Sequence, residues 1–480
     1  MLQINDGVRK KSIQRCKELG VVIPTFAQQK DPSTVPASIK ERLKTKGLWD
    51  IDPVNLFRIT WKNDAKSGAF GGVNHLEIPK HITGVPCRII GLVGKYFPTG
   101  AHKVGAAFAC LVPRLVTGNF DPTSQRAVWP STGNYCRGGA FDSALLGCTA
   151  VAILPEEMSR ERFAWLKDIG AEVIATPGCE SNVKEIYDAC WDIRKNRKDC
   201  VIFNQFDEFG NHLWHYNVTA AAIQEVFEAV KTPTSRMAAY VSATGSAGTI
   251  GAGDRLKELH PSLRIGASEA LQCPTLLTNG FGGHRIEGIG DKHVPWIHNV
   301  RNTDTIVAVD DEACMSLLRL LNEPAGWEYL TAGGVSNGTL ENLPLLGISG
   351  ICNVLSAVKM AKYYELDEND VIFTILTDSA EMYGSRLEEL TAARGKYTHD
   401  NAVADLARYA HGAATDNMRD LGYRDRKMIH NLKYYTWVEQ QGKTSEELNQ
   451  LWDPAFWDEL HGQAAGWDQA IEAFNAEVLK

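Results

Sequence analysis

The strongest constraint in this sequence is an alternation, from about residue 85 to 270, of short apolar runs with helix-length amphipathic stretches. Arg88-Ile-Ile-Gly-Leu92 reads as a strand and Val104 to Val116 as a helix. Strand signals recur at Ala127 to Trp129, Thr149 to Leu154, Glu172 to Ala175, Cys200 to Asn204, Met237 to Ser242 and Leu263 to Ser268. Helical patterns lie between them, as at Arg160 to Ile169, Val183 to Lys195 and Val218 to Val230. Strands spaced in this way build βαβ units, and so parallel sheets covered by helices on both faces. Two further strand signals, Thr305 to Val309 and Val371 to Leu376, flank an apolar helix from Ile351 to Tyr364. The pattern predicts an α/β fold.

At 480 residues the chain exceeds one small core and predicts two or three compact units. Residues 1 to about 75 read as an N-terminal extension, with a helical pattern at Ser12 to Leu19 and then polar segments carrying Pro24, Pro32 and Pro36. Residues 391 to 480 are polar and predicted helical, with Trp437, Trp452, Trp457 and Trp467 spaced along them. That tail reads either as a helical cap over the core or, because Trp favours interfaces, as a surface for another subunit. A net charge of −8 argues against nucleic acid or an acidic membrane as partner. No apolar run approaches a bilayer span and no leader pattern opens the chain. The eleven cysteines are scattered and never form a CxxC pair, the usage of a reducing cytosol, so a cytoplasmic protein is expected. His212 with His215, and His293 with His298, lack a Cys or carboxylate set at zinc-ligand spacing. They read as structural or substrate-side histidines, and no metal is expected.

Four segments rich in glycine and hydroxyl groups lie where a βα fold gathers its ligands, past the carboxyl ends of strands. The first is Pro98-Thr-Gly-Ala-His-Lys103, which opens a helix. A lysine there opposes the helix dipole; most such lysines are simply solvated, but a buried one loses proton affinity and becomes a free amine able to form an imine. The second, Trp129-Pro-Ser131-Thr132-Gly133-Asn134-Tyr135-Cys136-Arg137, offers hydroxyls, an amide and backbone N–H groups to a carboxylate, or is an ordinary capped turn. The third, Thr244-Gly245-Ser246-Ala247-Gly248-Thr249, has the small residues that let backbone N–H groups close on a phosphate. It carries neither the Walker A ending nor the GxGxxG spacing. The fourth, Thr377-Asp378-Ser379-Ala380-Glu381-Met382-Tyr383, puts a hydroxyl at a strand end, as a helix cap or as a partner for a ring nitrogen.

In this order the four segments resemble the fold type II pyridoxal-phosphate enzymes, of the cysteine synthase and tryptophan synthase β type. Pro-Thr-Gly-Ala-His-Lys resembles their cofactor-lysine segment and Pro-Ser-Thr-Gly-Asn their substrate-carboxylate loop. Thr-Gly-Ser-Ala-Gly-Thr resembles their phosphate loop, and Thr-Asp-Ser-Ala-Glu-Met-Tyr their Asp-Ser-Gly-Glu-Arg-Tyr segment. His284 to Gly290, with Val294-Pro295, and Leu346 to Gly350 agree as well, so the likeness spans roughly residues 77 to 385. It implies two α/β domains with pyridoxal 5'-phosphate in the cleft between them. The large one would comprise residues 76–103 and 226–390, and the small mobile one 104–225. Lys103 would hold the cofactor as an imine and move protons at the substrate α-carbon. Asn134 would meet the cofactor 3′-oxygen, Gly245, Ser246, Ala247, Gly248 and Thr249 its phosphate, and Ser379 its pyridine nitrogen. Ser131, Thr132 and Gly133 would bind the substrate carboxylate. A neutral hydroxyl at the ring nitrogen tempers the electron sink, which suits chemistry at the β-carbon.

Within this family, Pro98 to Arg114, Ala127 to Ala140 and Gly282 to His298 look most like the β subunit of 2-amino-4-ketopentanoate thiolases. Tyr135-Cys136-Arg137 departs from the Asn-Thr-Gly of cysteine synthases, and the extension and tail are additional to them. The resemblance implies coenzyme A-dependent cleavage of 2-amino-4-oxopentanoate to acetyl-CoA and alanine through an enamine, in ornithine degradation. It also implies a homodimer with a small α subunit. Cys136 could then take part in acyl transfer, or be a small buried thiol. The alternatives are β-replacement or β-elimination on serine, O-acetylserine or cysteine, as in cysteine synthase or cystathionine β-synthase, and a non-catalytic binding partner of the same fold.

Overall fold

Strands that are apolar at nearly every position, rather than at alternate ones, must be covered on both faces. In the computed structural model, which describes residues 3–131, 133–179, 182–290 and 292–480, Thr305–Val309 and Asp370–Leu376 are buried throughout. Arg88–Val93 is buried at all but its first residue. The larger sheet has the order His75–Glu77, Arg88–Val93, Asp370–Leu376, Arg236–Ala243, Arg264–Ala270, Thr305–Val309, Met418–Asp420. Its inner strands run parallel, with Ile375 beside Leu92 and Ser242 beside Ala267. The smaller sheet, Glu172–Thr176, Thr149–Pro155, Arg126–Pro130, Cys200–Ile202, is parallel throughout. The α/β fold with parallel sheets follows the sequence pattern.

Three features differ from that pattern. His75–Glu77 and Met418–Asp420 add antiparallel edges to the larger sheet. Each has three residues, two of them polar, so neither carries an apolar run to signal it. The tail is therefore not wholly helical, since it supplies an edge strand. Thirdly, the helix expected from Val218 begins at Phe209 and passes through a wide turn, His215–Thr219, before Ala220–Val230. That turn sets the Thr219 hydroxyl 3.0 Å from Trp61 Nε1, which donates to it, and 2.9 Å from His215 Nδ1.

Extension and tail pack together on the helix that Lys103 opens. Helices Asp6–Leu19 and Gln463–Val478 both lie on Lys103–Thr117. Arg9 pairs with Glu477 at 2.6 Å, and Asn475 trades hydrogen bonds of 3.0 and 2.7 Å with the Ile23 backbone. Trp437, Trp457 and Trp467 are buried in this chain's own core, and Trp437 Nε1 donates to Val294 O at 2.8 Å. The reading of the tail tryptophans as a docking surface is corrected for these three, because their apolar area is already covered. Among the described residues no single helix is long and apolar enough to cross a membrane.

Candidate functional site

Parallel neighbours deliver their carboxyl ends to one side of a sheet. Val93, Leu376 and Ala243 end adjacent strands, so the loops to Lys103, Ser379 and Gly245 start side by side. Lys103 is the first residue of helix Lys103–Thr117. The approach to it bends through two left-handed residues, Thr99 (φ 69°) and Gly100 (φ 69°). A β-branched residue in that region costs about 1–3 kcal/mol and is held there only by its surroundings; Thr99 is fully buried. Lys103 Nζ donates to Ser246 Oγ at 3.0 Å and to Gln205 Oε1 at 3.4 Å. The structure thus brings the predicted lysine to the predicted anion loop.

That loop is closely built. A Cβ on Gly245 would lie 2.9 Å from the Gly288 carbonyl oxygen, and one on Gly248 would collide with the Asn211 amide. Ala247 takes φ 60°. Asn211 Nδ2 donates to Ser246 Oγ at 2.9 Å and to Gln205 O at 3.0 Å. The Thr249 hydroxyl bonds to Ser242, and Tyr240 donates to Thr249 O at 2.9 Å. Helix Ile250–Leu259 follows with no side chain capping its first turn. The N–H groups of Ile250, Gly251 and Ala252 bond to the carbonyls of Ala247, Gly248 and Thr249 at 3.2, 3.0 and 3.1 Å, and the positive end of the helix dipole lies toward the loop.

From the smaller sheet, Asn134 reaches across to this group. Its Nδ2 donates to Asp378 Oδ2 at 2.7 Å. Its Oδ1 is buried without a hydrogen-bond partner among the described residues, and so is Ser379 Oγ. Buried polar atoms left unpaired cost about 1–3 kcal/mol each, which a ligand with complementary groups would recover. Ser131 Oγ accepts from Gly133 N at 3.1 Å, and Gly133, at φ 153°, packs directly against the Arg162 side chain. Thr132 lies outside the described residues.

The sequence reading missed the ionic network beneath these loops. Arg162, fully buried, pairs with Glu287 and lies 3.8 Å from Asp378. Tyr383 donates to Asp378 at 2.8 Å and accepts from Arg162 at 3.2 Å. Burial raises the Asp378 pKa, an effect that the Arg162 charge opposes. Glu287, Asp378 and Tyr383 stand inside motif stretches and were available to inspection. Arg162 follows Arg160 and Glu161 in a helix, and nothing local separates the buried arginine from the exposed one. Arg137 is also buried, its guanidinium 5.6 Å from Trp49 and 4.9 Å from Trp165. Gln205 and Asn211 follow strand Cys200–Ile202, so the rule that sites lie past strand ends could have found them.

Burial bears on two further expectations. The Cys136 thiol is fully buried, donates to Gly133 O at 2.9 Å and is pushed up to about 12 by burial, which fits the small buried thiol of the two alternatives. His215, His293 and His298 bond to Thr219, Tyr187 and Thr303. His212 lies instead against His461 and Asp254.

A family model described as "Pyridoxal-phosphate dependent enzyme" matches residues 95–378, more than half of the chain. A probable cysteine synthase of Bacillus subtilis is 29% identical over 287 residues, 60% of this chain and 85% of that protein. Cystathionine beta-synthase of Saccharomyces cerevisiae is 25% identical over 399 residues, 79% of this chain and 73% of that one. Among solved structures, the fold is similar to a cysteine synthase of Entamoeba histolytica, with TM-score 0.57 at 23% identity, over 70% of this chain and 93% of that one.

Proposed function

Because the chain belongs to the family of pyridoxal-phosphate dependent enzymes, we propose that it catalyses β-replacement or β-elimination on a small amino acid such as serine, O-acetylserine or cysteine. The reading rests on one observation. A lysine amine stands 3.0 Å from the central serine of a glycine-rich anion loop, with two buried polar atoms near it, Asn134 Oδ1 and Ser379 Oγ, that lack partners among the described residues. When bound, pyridoxal phosphate supplies an electron sink for charge released at the substrate α-carbon. The donor set fits that group. Gly245, Ser246, Ala247, Gly248 and Thr249 would hold its phosphate, Asn134 its 3′-oxygen, Ser379 Oγ its pyridine nitrogen, and Lys103 its reactive carbon.

This chain's residues supply the rest. The Lys103 amine is the group that takes a proton from the α-carbon, and the hydroxyl of Ser246 and carbonyl of Gln205 hold it in position. Ser131, Thr132 and Gly133 take the substrate carboxylate, with Gly133 backed by Arg162. Residues 104–225 form the smaller layer that closes over substrate and excludes water. In this state it is latched by Asn134 on Asp378 and by Arg162 on Glu287.

Coenzyme A-dependent cleavage of 2-amino-4-oxopentanoate, with a small α subunit, is the second reading. It draws on Tyr135-Cys136-Arg137, which sets a buried guanidinium one helical turn beyond Asn134. Relatives that are cysteine synthases and cystathionine beta-synthases favour the first reading. The test gives the purified enzyme O-acetylserine with sulfide or homocysteine, and separately 2-amino-4-oxopentanoate with coenzyme A. A thioether or thiol amino acid from the first mixture, with a change in the visible spectrum, is expected. Acetyl-CoA and alanine from the second mixture alone would overturn it in favour of cleavage.

A further inference from the structure

Helix Ile250–Leu259, which begins at the anion loop, carries Asp254 on a face covered by the tail. There Asp254 meets His212 of helix Phe209–Trp214 and His461, the last residue of helix Pro454–His461. His212 Nε2 lies 3.0 Å from His461 Nε2 and 3.7 Å from Asp254 Oδ2, and one ligand atom from each residue falls within 4.8 Å of the others. Ligands on a tetrahedral zinc with bonds of about 2.0–2.1 Å stand about 3.3 Å apart, so these separations need only small side-chain adjustments. From these contacts we infer that His212, His461 and Asp254 form a zinc site, His2Asp with its fourth position open to water. The site is independent of the proposed reaction.

The surroundings suit the ligands. Asp254 is buried, and among the described residues no Lys or Arg lies within ion-pair distance of it; its one contact of that kind is with His212. A metal ion would supply the missing positive charge. The amides of Asn299 and Asn302 donate to its two oxygens at 2.8 Å each and fix its orientation. Glu258 lies 3.8 Å from His461 Nδ1, beside the ring nitrogen that does not face His212. Glu258 is in turn held by the Tyr216 hydroxyl at 2.8 Å, and the Tyr216 ring stacks on His461 at 3.7 Å. A cavity of about 400 Å³ bordered by Asp254, Glu258 and His461 gives water and metal a way in. Zinc here would pin the tail to the helix that opens at the anion loop.

The test uses full-length protein without a polyhistidine tag, from cells grown with added zinc. Elemental analysis after dialysis is expected to find roughly one zinc per chain, and zinc but not magnesium to raise the melting temperature of chelator-treated protein. His461→Ala, at the rim of the cavity, and Asp254→Asn should each weaken zinc binding at least ~100-fold in a chelator competition, beyond the ~10–100-fold of an outer-shell change. Wild-type protein without zinc and with no thermal response to it would overturn the inference, leaving a direct histidine–histidine hydrogen bond. Zinc held equally well by both variants would overturn it too, by placing the metal elsewhere. Should either variant fail to fold, the wild-type metal content and thermal response decide alone.

Discussion

Lys103 opposes the local helix dipole, a placement that costs about 0.3–1 kcal/mol, and it is held there by the hydrogen bonds it donates to Ser246 and Gln205. Its replacement tests role against packing. Lys103→Ala should lower turnover by at least ~10³-fold and remove the visible band of covalently held cofactor, with little change in melting temperature. An active Lys103→Ala protein would remove the amine from the chemistry. Gly248 tests the cradle. A methyl group there displaces Asn211, and with it the Ser246 hydroxyl. Overpacking of this kind costs about 1–3 kcal/mol, so Gly248→Ala should weaken cofactor retention by roughly tenfold to a few hundredfold in equilibrium dialysis. Gly288, whose added Cβ meets nothing within 4 Å, is the control for space, although its φ of 96° still favours glycine.

At the scale of elements, two neighbouring arginines on one helix separate surface from core. Arg160 pairs with Glu388 in full solvent, both side chains more than 70% exposed, while Arg162 and Glu287 are buried. Exposed pairs contribute about 0–1 kcal/mol, and breaking a buried one costs about 3–5 kcal/mol because its partner charge is stranded. Arg162→Ala should therefore lower the denaturant midpoint far more than Arg160→Ala. Equal shifts would mean that the latch between the two layers carries no energy. The tail is held by the same logic of burial. Lys433 donates to the carbonyls of Trp296 and His298 at 2.8 and 2.7 Å, and Trp437 closes over Val294. Trp437→Ala should cost about 3–5 kcal/mol in stability, measured by urea unfolding, and an unchanged midpoint would return the tryptophan to an interface role.

For the whole molecule, pH acts through histidines folded away in neutral form. Burial depresses His293 and His298 to about 3. A histidine depressed in the fold binds fewer protons there than in the unfolded chain, whose value is about 6.5. Its contribution is complete above that value and is lost as pH falls toward 3. Each such group contributes up to about 1.4 kcal/mol per pH unit. The urea midpoint should fall steeply from pH 6.5 to 5. A flat profile across that interval would show that these rings take up protons without unfolding.

What the sequence determined by itself was local and periodic. Apolar runs at both-face density announced the inner parallel strands, and small-residue loops after them announced Lys103, Asn134, Gly245 to Thr249 and Ser379. The rule that parallel strands gather their ends on one side was enough to group most of those loops. Tertiary structure alone decided what depends on distance through space. Arg162 looks like Arg160 until one is buried against Glu287. The three-residue edge strands hold no apolar signal, since an edge is formed by a neighbour and not by its own sequence. His212 and His461 stand 249 positions apart and meet at 3.0 Å only because the tail folds back along the core. Periodicity reports how a segment is buried, whereas charge pairs and ligand sets depend on which segments meet, and that is fixed by packing.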